Sequence, residues 1–302
     1  MKQKAPEPFI IPEPMLEYWV DIAPGAFSVA MITSDREVQQ LTIDRLENLV
    51  RKGVLDHYGD KRGWYIPRKN ELERIDYINA DETPVKIWLP FGMHDLVDIH
   101  DGNIIIISGA PNAGKTAMML NVIKENRADW KVSYFSSEMG GAELKKRLNL
   151  FGDVSINNWG FDAYSRSEAF HSVMAKGNNS LNIIDFLEVH DDFFKIGGAL
   201  KQIHNELAGA IAIVCLQKNP GNDTGLGGYR TIEVARLAVA VDSGKIKIVK
   251  AKNYKTDTNP NGLCKDFKLV GGCKIIDKHG WYRERDGTVE YQDTEYKDQV
   301  PF

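Results

Sequence analysis

A phosphate-loop pattern between a strand-like run and a helix-forming run most constrains the fold of this chain. Residues 104–108 read Ile-Ile-Ile-Ile-Ser, residues 109–116 fit G-x-x-x-x-G-K-[ST], and residues 116–127 favour a helix. In that setting successive backbone N–H groups curl around a phosphate, and the helix N-terminus adds partial positive charge. The pattern therefore predicts an α/β fold that binds a nucleotide. The alternative is a glycine-rich turn that binds none.

The residues of this loop have separate tasks in holding a nucleotide. The Lys115 ammonium would reach the β- and γ-phosphates, and the Thr116 hydroxyl would ligate Mg²⁺. The expected cofactors are therefore ATP and Mg²⁺. The predicted nucleotide-binding residues are Gly109, Ala110, Pro111, Asn112, Ala113, Gly114, Lys115 and Thr116.

Composition narrows the class of protein. The chain has 302 residues and a formal net charge of −4, which argues against a wholesale polyanion binder but not against a local basic site. Its three cysteines are too few and too scattered for a disulfide framework or a zinc cluster. No secretory signal or membrane-length apolar run is visible in the sequence, so we expect a soluble, cytoplasmic protein without a membrane partner.

Strand-like and helix-like segments alternate from residue 101 onward. Such alternation predicts a mainly parallel sheet with helices on both faces. The strand candidates are residues 104–108, 132–136, 181–185, 211–216, 237–241 and 246–250. Residues 267–270 and 273–276, separated by two glycines, predict a hairpin.

Shifts in composition divide the chain into four parts. Residues 1–24 are predicted to be a proline-rich tail that favours extended structure and is a candidate docking segment for a partner protein. Residues 25–68 form a small module, residues 69–100 a linker, and residues 101–302 the nucleotide-binding domain.

The small module resembles a winged helix-turn-helix. Ser34–Glu37 fits a capping box for a short helix, a longer helix follows from Thr42 to Gly53, and residues 54–66 fit a hairpin with a basic tip. In winged helices the second helix enters a DNA groove and the wing touches phosphate. The alternative is a module for protein–protein contact. Candidate DNA contacts are Arg45, Arg51, Lys52, Lys61 and Arg62.

Three polar residues end predicted strands, at the edge where open α/β sheets bind ligands. Asp185 follows an apolar run, which suits a carboxylate that supports Mg²⁺. Glu138 is the candidate to orient the attacking water, although an acid in the first turn of the next helix is the alternative. Gln217 is the candidate to contact the γ-phosphate, although an ordinary strand-end amide is possible. The predicted catalytic residues are Glu138, Lys115 and Gln217, with Thr116 and Asp185 at the metal.

These pieces, in this order, resemble the RecA-like ATPase core of DnaB-type replicative helicases, from about Leu89 to Trp281. Glu-Met at 138–139, Ile-Ile-Asp at 183–185 and Leu-Gln at 216–217 match strand ends of that family. Further matches are the lead-in of residues 90–102, the glycine-rich loop of residues 225–230, the apolar segment 234–242 and the strand 247–252. The resemblance implies a RecA-like P-loop NTPase fold in which the glutamate activates water.

Departures from the family pattern bear on hydrolysis. Tyr254 stands where the family places an arginine that reaches the γ-phosphate of the neighbouring subunit. Lys250, Lys252 and Lys255 are the candidates to act across the interface instead, although a lysine lacks the fork geometry of arginine. The winged-helix-like module takes the place of the helical collar of bacterial replicative helicases, which suggests a phage, plasmid or mobile-element relative.

The resemblance also implies where nucleic acid would be held. In ring motors of this family, DNA meets the loops that follow the Asp185 and Gln217 strands, here residues 190–198 and 218–231. The candidate phosphate contacts in these loops are Lys195, Lys218 and Arg230.

Two further features near these loops have alternative interpretations. Phe193 and Phe194 either stack on bases or pack in the core. The lysines between residues 245 and 255 either contact phosphate across an interface or are the solvated charges of an edge strand.

The leading hypothesis is an ATP-hydrolysing DNA motor, a helicase-like replication protein that moves along single-stranded DNA. A homo-oligomeric ring is expected, with a hexamer favoured, and duplex DNA is a candidate partner of the small module. A second hypothesis is an ATP-gated DNA-binding or loader-type protein that does not unwind. A third, a small-molecule kinase, is disfavoured by the order of the motifs.

Overall fold

The computed structural model describes residues 11–23, 25–68, 75–188, 195–285 and 288–291. The chain divides into two compact units, Met1–Ala80 and Asp81–Phe302. The boundary falls inside the predicted linker of residues 69–100, because Ile87 and Leu89 are buried in the core of the second unit. The second part of the predicted linker therefore belongs to that unit.

Among its described residues, the first unit combines three helices with a small antiparallel sheet. Its elements are helix α1 (Glu13–Ile22), strand β1 (Phe27–Ser28), helix α2 (Val29–Ile32), helix α3 (Arg36–Arg51), strand β2 (Leu55–His57) and strand β3 (Trp64–Pro67). The sheet order is β1-β3-β2, and His57 pairs with Tyr65 across the hairpin. Leu16, Leu46 and Leu49 lie in the core of this unit. The predicted hairpin is present, and the winged-helix assignment stays a prediction.

Helix α1 occupies much of the predicted proline-rich tail of residues 1–24. Pro12 is the N-cap and Pro14 lies in the first turn, where a helix does not use the N–H that proline lacks. Leu16 and Val20, four residues apart, then face the core and are both 1% exposed. These two prolines therefore lie at the start of a helix and not in an extended segment. The first ten residues of the predicted tail lie outside the described residues.

Helix α3 is continuous where the sequence predicted two helices with a break before Thr42. Residues 38–41 contain no glycine or proline that would end a helix. The Thr42 hydroxyl donates to the Val38 carbonyl over 2.8 Å, as a threonine inside a helix does, instead of capping a new helix. The two predicted helices are therefore one.

The second unit contains, among its described residues, an eleven-stranded sheet. Its first elements are β4 (Ile104–Gly109), α4 (Lys115–Asn126), β5 (Lys131–Ser136), α5 (Gly141–Asn149), β6 (Asp162–Ser165) and β7 (Ser180–Asp185). They are followed by α6 (Lys195–Glu206), β8 (Ile211–Gln217), β9 (Leu237–Asp242), β10 (Lys245–Ala251), β11 (Leu263–Val270), β12 (Lys274–Asp277), β13 (Tyr282–Arg285) and β14 (Thr288–Tyr291). Short 3-10 turns cover Pro90–Asp95, Ile156–Asn158, Phe170–Ser172 and Gly228–Thr231. Each strand predicted from the sequence is present.

Parallel strands form the part of the sheet that positions the site. The strand order is β14-β13-β11-β10-β9-β4-β8-β7-β5-β6, with β12 paired to β11. Neighbours from β9 to β6 along this order are parallel. Neighbours from β14 to β9 are antiparallel, and so is the β11–β12 pair. Because β4 lies between β8 and β9, the loop that follows β4 emerges between two other strand ends.

Helices cover both faces of this sheet, as predicted. On one face α4 and α5 pack with Ile105 and Ile107 of β4, and on the other α6 packs with Ile104 and Ile106. Successive side chains of a strand point to opposite faces, and both faces are covered here, so β4 is apolar throughout. None of the described helices is long and apolar enough to cross a membrane.

Strand β10 lies inside the sheet, between β9 and β11. The interpretation of its lysines as the charges of an edge strand is therefore wrong. Lys245 and Lys247 instead form ion pairs with Glu284 and Asp223, respectively.

Candidate nucleotide-binding site

Strand β4 leads into the loop of residues 109–116 at the carboxyl edge of the parallel strands. A Cβ atom on Gly109 would stand 2.5 Å from Cγ of Lys115 and 2.6 Å from its Cδ, closer than packed carbon atoms approach. Gly114 has a φ of 93°, in the left-handed region that favours glycine. A side chain at position 109 would therefore displace Lys115, and one at position 114 would strain the backbone.

Lys115 begins helix α4 and folds back over the loop. Its Nζ donates to the carbonyls of Gly109 at 3.0 Å and Ala110 at 3.1 Å. These bonds hold the ammonium at the N-terminus of α4, where unpaired N–H groups and the helix dipole favour an anion. A phosphate in the loop would offer the ammonium a charge-assisted bond, which is stronger than a bond to a neutral carbonyl.

Asp185 is the buried carboxylate of the site. It ends β7, is 4% exposed, and accepts at Oδ2 a 2.8 Å hydrogen bond from the Tyr134 hydroxyl on β5. Burial raises the pKa of Asp185, while hydrogen bonds from Tyr134 and Thr116 and the charge of Lys115 act in the opposite direction. Burial also raises the pKa of Tyr134, and the Asp185 charge adds to that rise. The phenol therefore stays protonated and remains a donor to the carboxylate.

Thr116 and Asp185 supply oxygen ligands of the kind that Mg²⁺ prefers. Magnesium keeps several waters and is bound by one or two carboxylates together with substrate phosphates. The Thr116 hydroxyl reaches Asp185, and a cation beside this desolvated carboxylate would offset the cost of burying its charge. Among the described residues no group of three or more His, Cys, Asp or Glu side chains could hold a metal ion.

The loop and the polar strand ends line one cavity of about 340 Å³. The predicted strand-end residues in it are Glu138, Asp185 and Gln217. Backbone bonds hold the strand ends together: the Ser137 N–H donates to the Asp185 carbonyl at 3.2 Å, and the Lys218 N–H donates to the Gly109 carbonyl at 3.1 Å. The structure thus brings these predicted groups together, and their chemical roles stay predictions.

Sequence reasoning missed five residues that line this cavity. They are Ala117, Arg147, Phe186, Leu269 and Gly272. Arg147 lies on α5, where it pairs with Glu143 at 2.8 Å, and its charge helps to lower the pKa of Asp185 against the effect of burial. The four-residue spacing of Glu143 and Arg147 predicts a helix, but it does not predict that this face of α5 borders the cavity.

The hairpin of β11 and β12 forms one wall of the cavity. Two glycines with positive φ form its turn. Asn121 of α4 donates to the Cys273 carbonyl at 2.8 Å and so ties the hairpin to the helix that follows the loop. The Leu269 side chain lies 3.4 Å from the point where a Cβ on Gly114 would stand. An apolar side chain therefore borders the loop that would hold the phosphates.

Two larger cavities lie elsewhere in the second unit. One of about 430 Å³ is lined mainly by residues 84–99 and the C-terminal end of α4. The other, of about 620 Å³, is lined by residues 220–223 and the turn between β9 and β10. Neither is lined by Lys115, Glu138 or Asp185. The convergence of polar groups, not volume, therefore marks the candidate site.

Lys218, a predicted DNA contact, is buried instead. Its side chain is 0% exposed, and its Nζ lies 2.7 Å from Oδ1 of Asp242. An ammonium held in this way can reach a phosphate only by giving up its partner. The prediction for Lys218 is therefore wrong, because Asp242 ends the nearby strand β9 and holds this side chain inside the protein.

Arg230 and Lys195 are exposed. Arg230 packs against α6, since a Cβ atom on Gly197 would stand 3.2 Å from Cβ of Arg230. Lys195 begins α6 and lies about 200° around the helix from Gly197, on a different side. Phe193 and Phe194 lie outside the described residues, so neither interpretation of them is tested.

Two of the three lysines predicted to act across an interface make bonds within the chain. Lys250 donates from Nζ to the carbonyls of residues 232–233, at 2.6 and 2.8 Å, and burial lowers its pKa. Lys255 pairs with Asp98 at 3.3 Å. Lys252 is exposed and forms no ion pair with another residue of the described part of the chain. Lys252 thus differs from Lys250 and Lys255, whose ammonium groups are held within the chain.

The basic residues predicted to contact DNA in the first unit differ in their surroundings. Arg45 donates to the Ile11 carbonyl, and Lys52 pairs with Glu17 at 3.5 Å. The others are exposed: Arg51, Lys61 and Arg62. The exposed hairpin tip therefore keeps the basic character that the sequence predicts for it.

A central parallel sheet, a phosphate loop between β4 and α4, and polar strand ends around it define a RecA-like P-loop ATPase core. Residues 93–187 match the family model of the DnaB-like helicase C-terminal domain. This match supports the DnaB-type core that the sequence resemblance predicted, and cores of that type use a nucleotide with Mg²⁺ in general.

One curated protein and one solved structure are similar to parts of this chain. A probable replicative DNA helicase from Guillardia theta is 30% identical over 138 residues, which are 41% of this chain and 22% of that protein. The chain thus matches about a fifth of the length of this curated relative. The crystal structure of a KaiC-like protein from Pyrococcus horikoshii OT3 has a TM-score of 0.51 and 14% identity, covering 65% of this chain and 99% of that one. At this identity the likeness concerns the fold alone.

Proposed function

We propose that this protein hydrolyses ATP with Mg²⁺ and uses the cycle to move along single-stranded DNA as an oligomeric, helicase-like replication protein. The observation that carries the proposal is the one cavity lined by the phosphate loop, Glu138, Asp185 and Gln217. A triphosphate, a metal and an attacking water need such groups within a few ångströms of one another. The DnaB-type core supports a role in replication.

Each group has a defined task in this proposal. Lys115 binds the β- and γ-phosphates, while Thr116 and Asp185 hold the metal. Glu138 orients the attacking water, because it is exposed to the cavity and lies at the end of a strand next to that of Asp185. Gln217 contacts the γ-phosphate.

Gln217 also connects the nucleotide to the glycine-rich loop that follows it. Its carbonyl accepts a 2.8 Å bond from the Leu226 N–H. A displacement of Gln217 when the γ-phosphate leaves would therefore shift the loop of residues 218–231. This coupling is how hydrolysis would move bound DNA.

Assembly into a ring compensates for the modest positive charge of one chain. Each subunit repeats its basic contacts, so several weak phosphate contacts act together. We favour a hexamer, with single-stranded DNA as the main partner. Duplex DNA or a partner protein would contact the first unit, and the N-terminal segment would dock a replication partner.

A second candidate function is ATP-gated DNA binding or loading without unwinding. Tyr254 replaces the arginine that acts across the interface in the family, and Lys250 and Lys255 are engaged within the chain. Without a cation from the neighbouring subunit, nucleotide would control assembly and DNA binding more than rapid turnover.

The decisive experiment compares the wild type with Glu138→Gln, with and without single-stranded DNA, and measures mass in the presence of ATP. We expect DNA-stimulated ATPase activity in the wild type, and retained ATP binding with lost turnover in Glu138→Gln. Unchanged turnover would remove Glu138 from its role. Strand displacement by the wild type supports the motor, whereas nucleotide-dependent DNA binding without displacement supports the second candidate.

A further inference from the structure

Tyr134 is a buried tyrosine whose hydroxyl is bonded to the candidate metal ligand. It lies on β5, is 0% exposed, and donates to Oδ2 of Asp185 at 2.8 Å. It pairs with Ile183 across β5 and β7, two residues before Asp185, so both side chains lie on the same face of the sheet. Phenylalanine would fill the same space in the core. Packing alone therefore does not account for the hydroxyl.

The ring of Tyr134 is held in place by its neighbours. Its centroid lies 6.1 Å from that of Phe161, with the two rings perpendicular. Strand β5 is paired on both sides, with β7 and with β6. The direction of the hydroxyl is therefore fixed, and its bond to Oδ2 restricts the rotation of the Asp185 carboxylate.

A second buried hydroxyl supports that of Tyr134. Ser136 follows two residues later on β5, on the same face, and is 3% exposed. Burial and the Asp185 charge raise the pKa of Tyr134, and a hydrogen bond from Ser136 acts in the opposite direction. The Ser136 Oγ in turn accepts the Met139 N–H at 2.9 Å. We call Ser136 and Tyr134, which together connect Met139 to Asp185, the hydroxyl network.

The hydroxyl network joins the two carboxylates of the nucleotide cavity. Met139 directly follows Glu138, and both Glu138 and Asp185 line the cavity. Hydrogen bonds in a chain polarise one another, so each of these bonds is strengthened by the next. The network therefore fixes Asp185 relative to the turn that carries Glu138.

We propose that Tyr134, supported by Ser136, is a positioning residue for Mg²⁺, because its hydroxyl holds the Asp185 carboxylate in the orientation that binds the metal together with the nucleotide. The inference rests on the proposed function, in which Thr116 and Asp185 hold the metal. Residues that hydrogen-bond to a metal ligand from outside set its orientation, and their loss typically weakens metal binding. A carboxylate already held in place also loses less freedom when the metal binds.

The test is binding of a fluorescent ATP analogue to the full chain, measured in EDTA and during a titration with Mg²⁺. The variants are Tyr134→Phe and Ser136→Ala. Tyr282→Phe is the matched control, since the Tyr282 hydroxyl is also bonded to a carboxylate, that of Asp266 at 3.0 Å, and its side chain is also buried. Tyr282 does not line the nucleotide cavity. Thermal stability serves as the control for folding.

We expect Tyr134→Phe to raise the Mg²⁺ concentration for half-maximal metal-dependent binding about 10- to 100-fold, and Tyr282→Phe to change it by less than about twofold. Ser136→Ala should raise it about three- to tenfold, because the phenol keeps its bond to Asp185 but loses its own support. In EDTA all four proteins should bind the analogue equally, since none of the substitutions touches the phosphate loop.

An unchanged Mg²⁺ requirement in Tyr134→Phe, or an equal rise in Tyr282→Phe, would overturn the inference. So would an equal loss of binding in EDTA, which would mark a disturbed phosphate loop. The titration is repeated about one pH unit higher, because a loss that disappears there comes from protonation of Asp185 and would also overturn the positioning role.

The wild type separates this inference from the proposed function. If the wild type binds the analogue equally with and without Mg²⁺, the assignment of Thr116 and Asp185 to the metal fails, and the inference fails with it. Metal-dependent binding that Tyr134→Phe leaves intact would refute the role of Tyr134 alone.

Discussion

Replacing Asp242 with alanine is expected to destabilise the second unit far more than replacing its partner, Lys218, with methionine. The Lys218 side chain is 0% exposed, whereas that of Asp242 is 36% exposed. Asp242→Ala leaves the ammonium buried without a carboxylate. Lys218→Met leaves a carboxylate that still meets water and accepts the Gly221 N–H at 3.3 Å. Asp242→Ala should therefore lower the free energy of unfolding more than Lys218→Met does.

The size of the difference follows from this asymmetry. Removing one partner of a buried pair costs about 3–5 kcal/mol when the other stays buried and charged. For a unit of about 150–250 residues this corresponds to a fall in melting temperature of about 6–20 °C. Replacing a buried charge by an apolar side chain of similar volume is nearly neutral, so Lys218→Met should stay within about 1 kcal/mol.

Scanning calorimetry of the full chain measures both effects. ATP binds the second unit in our proposal, so the transition that ATP raises is the one to follow. Asp223→Ala, which breaks the more exposed pair with Lys247, is the matched control and should cost less than about 1 kcal/mol. Equal losses for Asp242→Ala and Lys218→Met, or no loss for Asp242→Ala, would refute the reasoning.

Three further predictions concern the nucleotide cavity. Gly109→Ala should weaken binding of a fluorescent ATP analogue at least about tenfold, because its Cβ displaces Lys115; unchanged affinity would show that the close packing is not needed. Tyr134→Phe removes a hydrogen bond that lowers the pKa of Asp185, so this pKa should rise. As the pH is lowered, ATP turnover of the variant should then be lost at a higher pH than turnover of the wild type. An acid limb of the pH profile at the same pH in both proteins would contradict this. Arg147→Gln should reduce ATP turnover about tenfold by removing a cation from the cavity, and equal turnover in variant and wild type would exclude that role.

The position of the strand-end residues could be anticipated from the sequence alone. Glu138, Asp185 and Gln217 each end an apolar run, and the carboxyl ends of parallel strands meet at one edge of a sheet. That rule needs no knowledge of strand order. It is sufficient to predict that these three side chains lie near the phosphate loop.

Residues outside the strand ends could not be placed in this way. Arg147 enters the cavity only because α5 turns one particular face to it, and Leu269 arrives from a hairpin far along the chain. Lys218 follows a strand end and so resembled an accessible contact, but its burial depends on Asp242 at the end of another strand. Such pairings are set by tertiary packing, which local patterns do not encode.

The N-terminal segment shows a similar limit. Four prolines among its first fourteen residues favour extended structure, yet two of them introduce helix α1. What decides the outcome is the apolar spacing of Leu16 and Val20 and a core that can receive them. Proline restricts where a helix begins, and burial decides whether it forms.

The β11–β12 hairpin has a consequence for which nucleotides the cavity would accept. It is tied through Asn121 to α4, so this wall exists before any ligand arrives, and Leu269 still leaves 37% of its surface uncovered. Inorganic triphosphate has no ring to cover this apolar surface, which would stay hydrated. A ligand with a flat ring system beyond its phosphates would displace water from it. The cavity would therefore distinguish a nucleotide from inorganic triphosphate through Leu269, because a ring that covers this side chain releases the water around it.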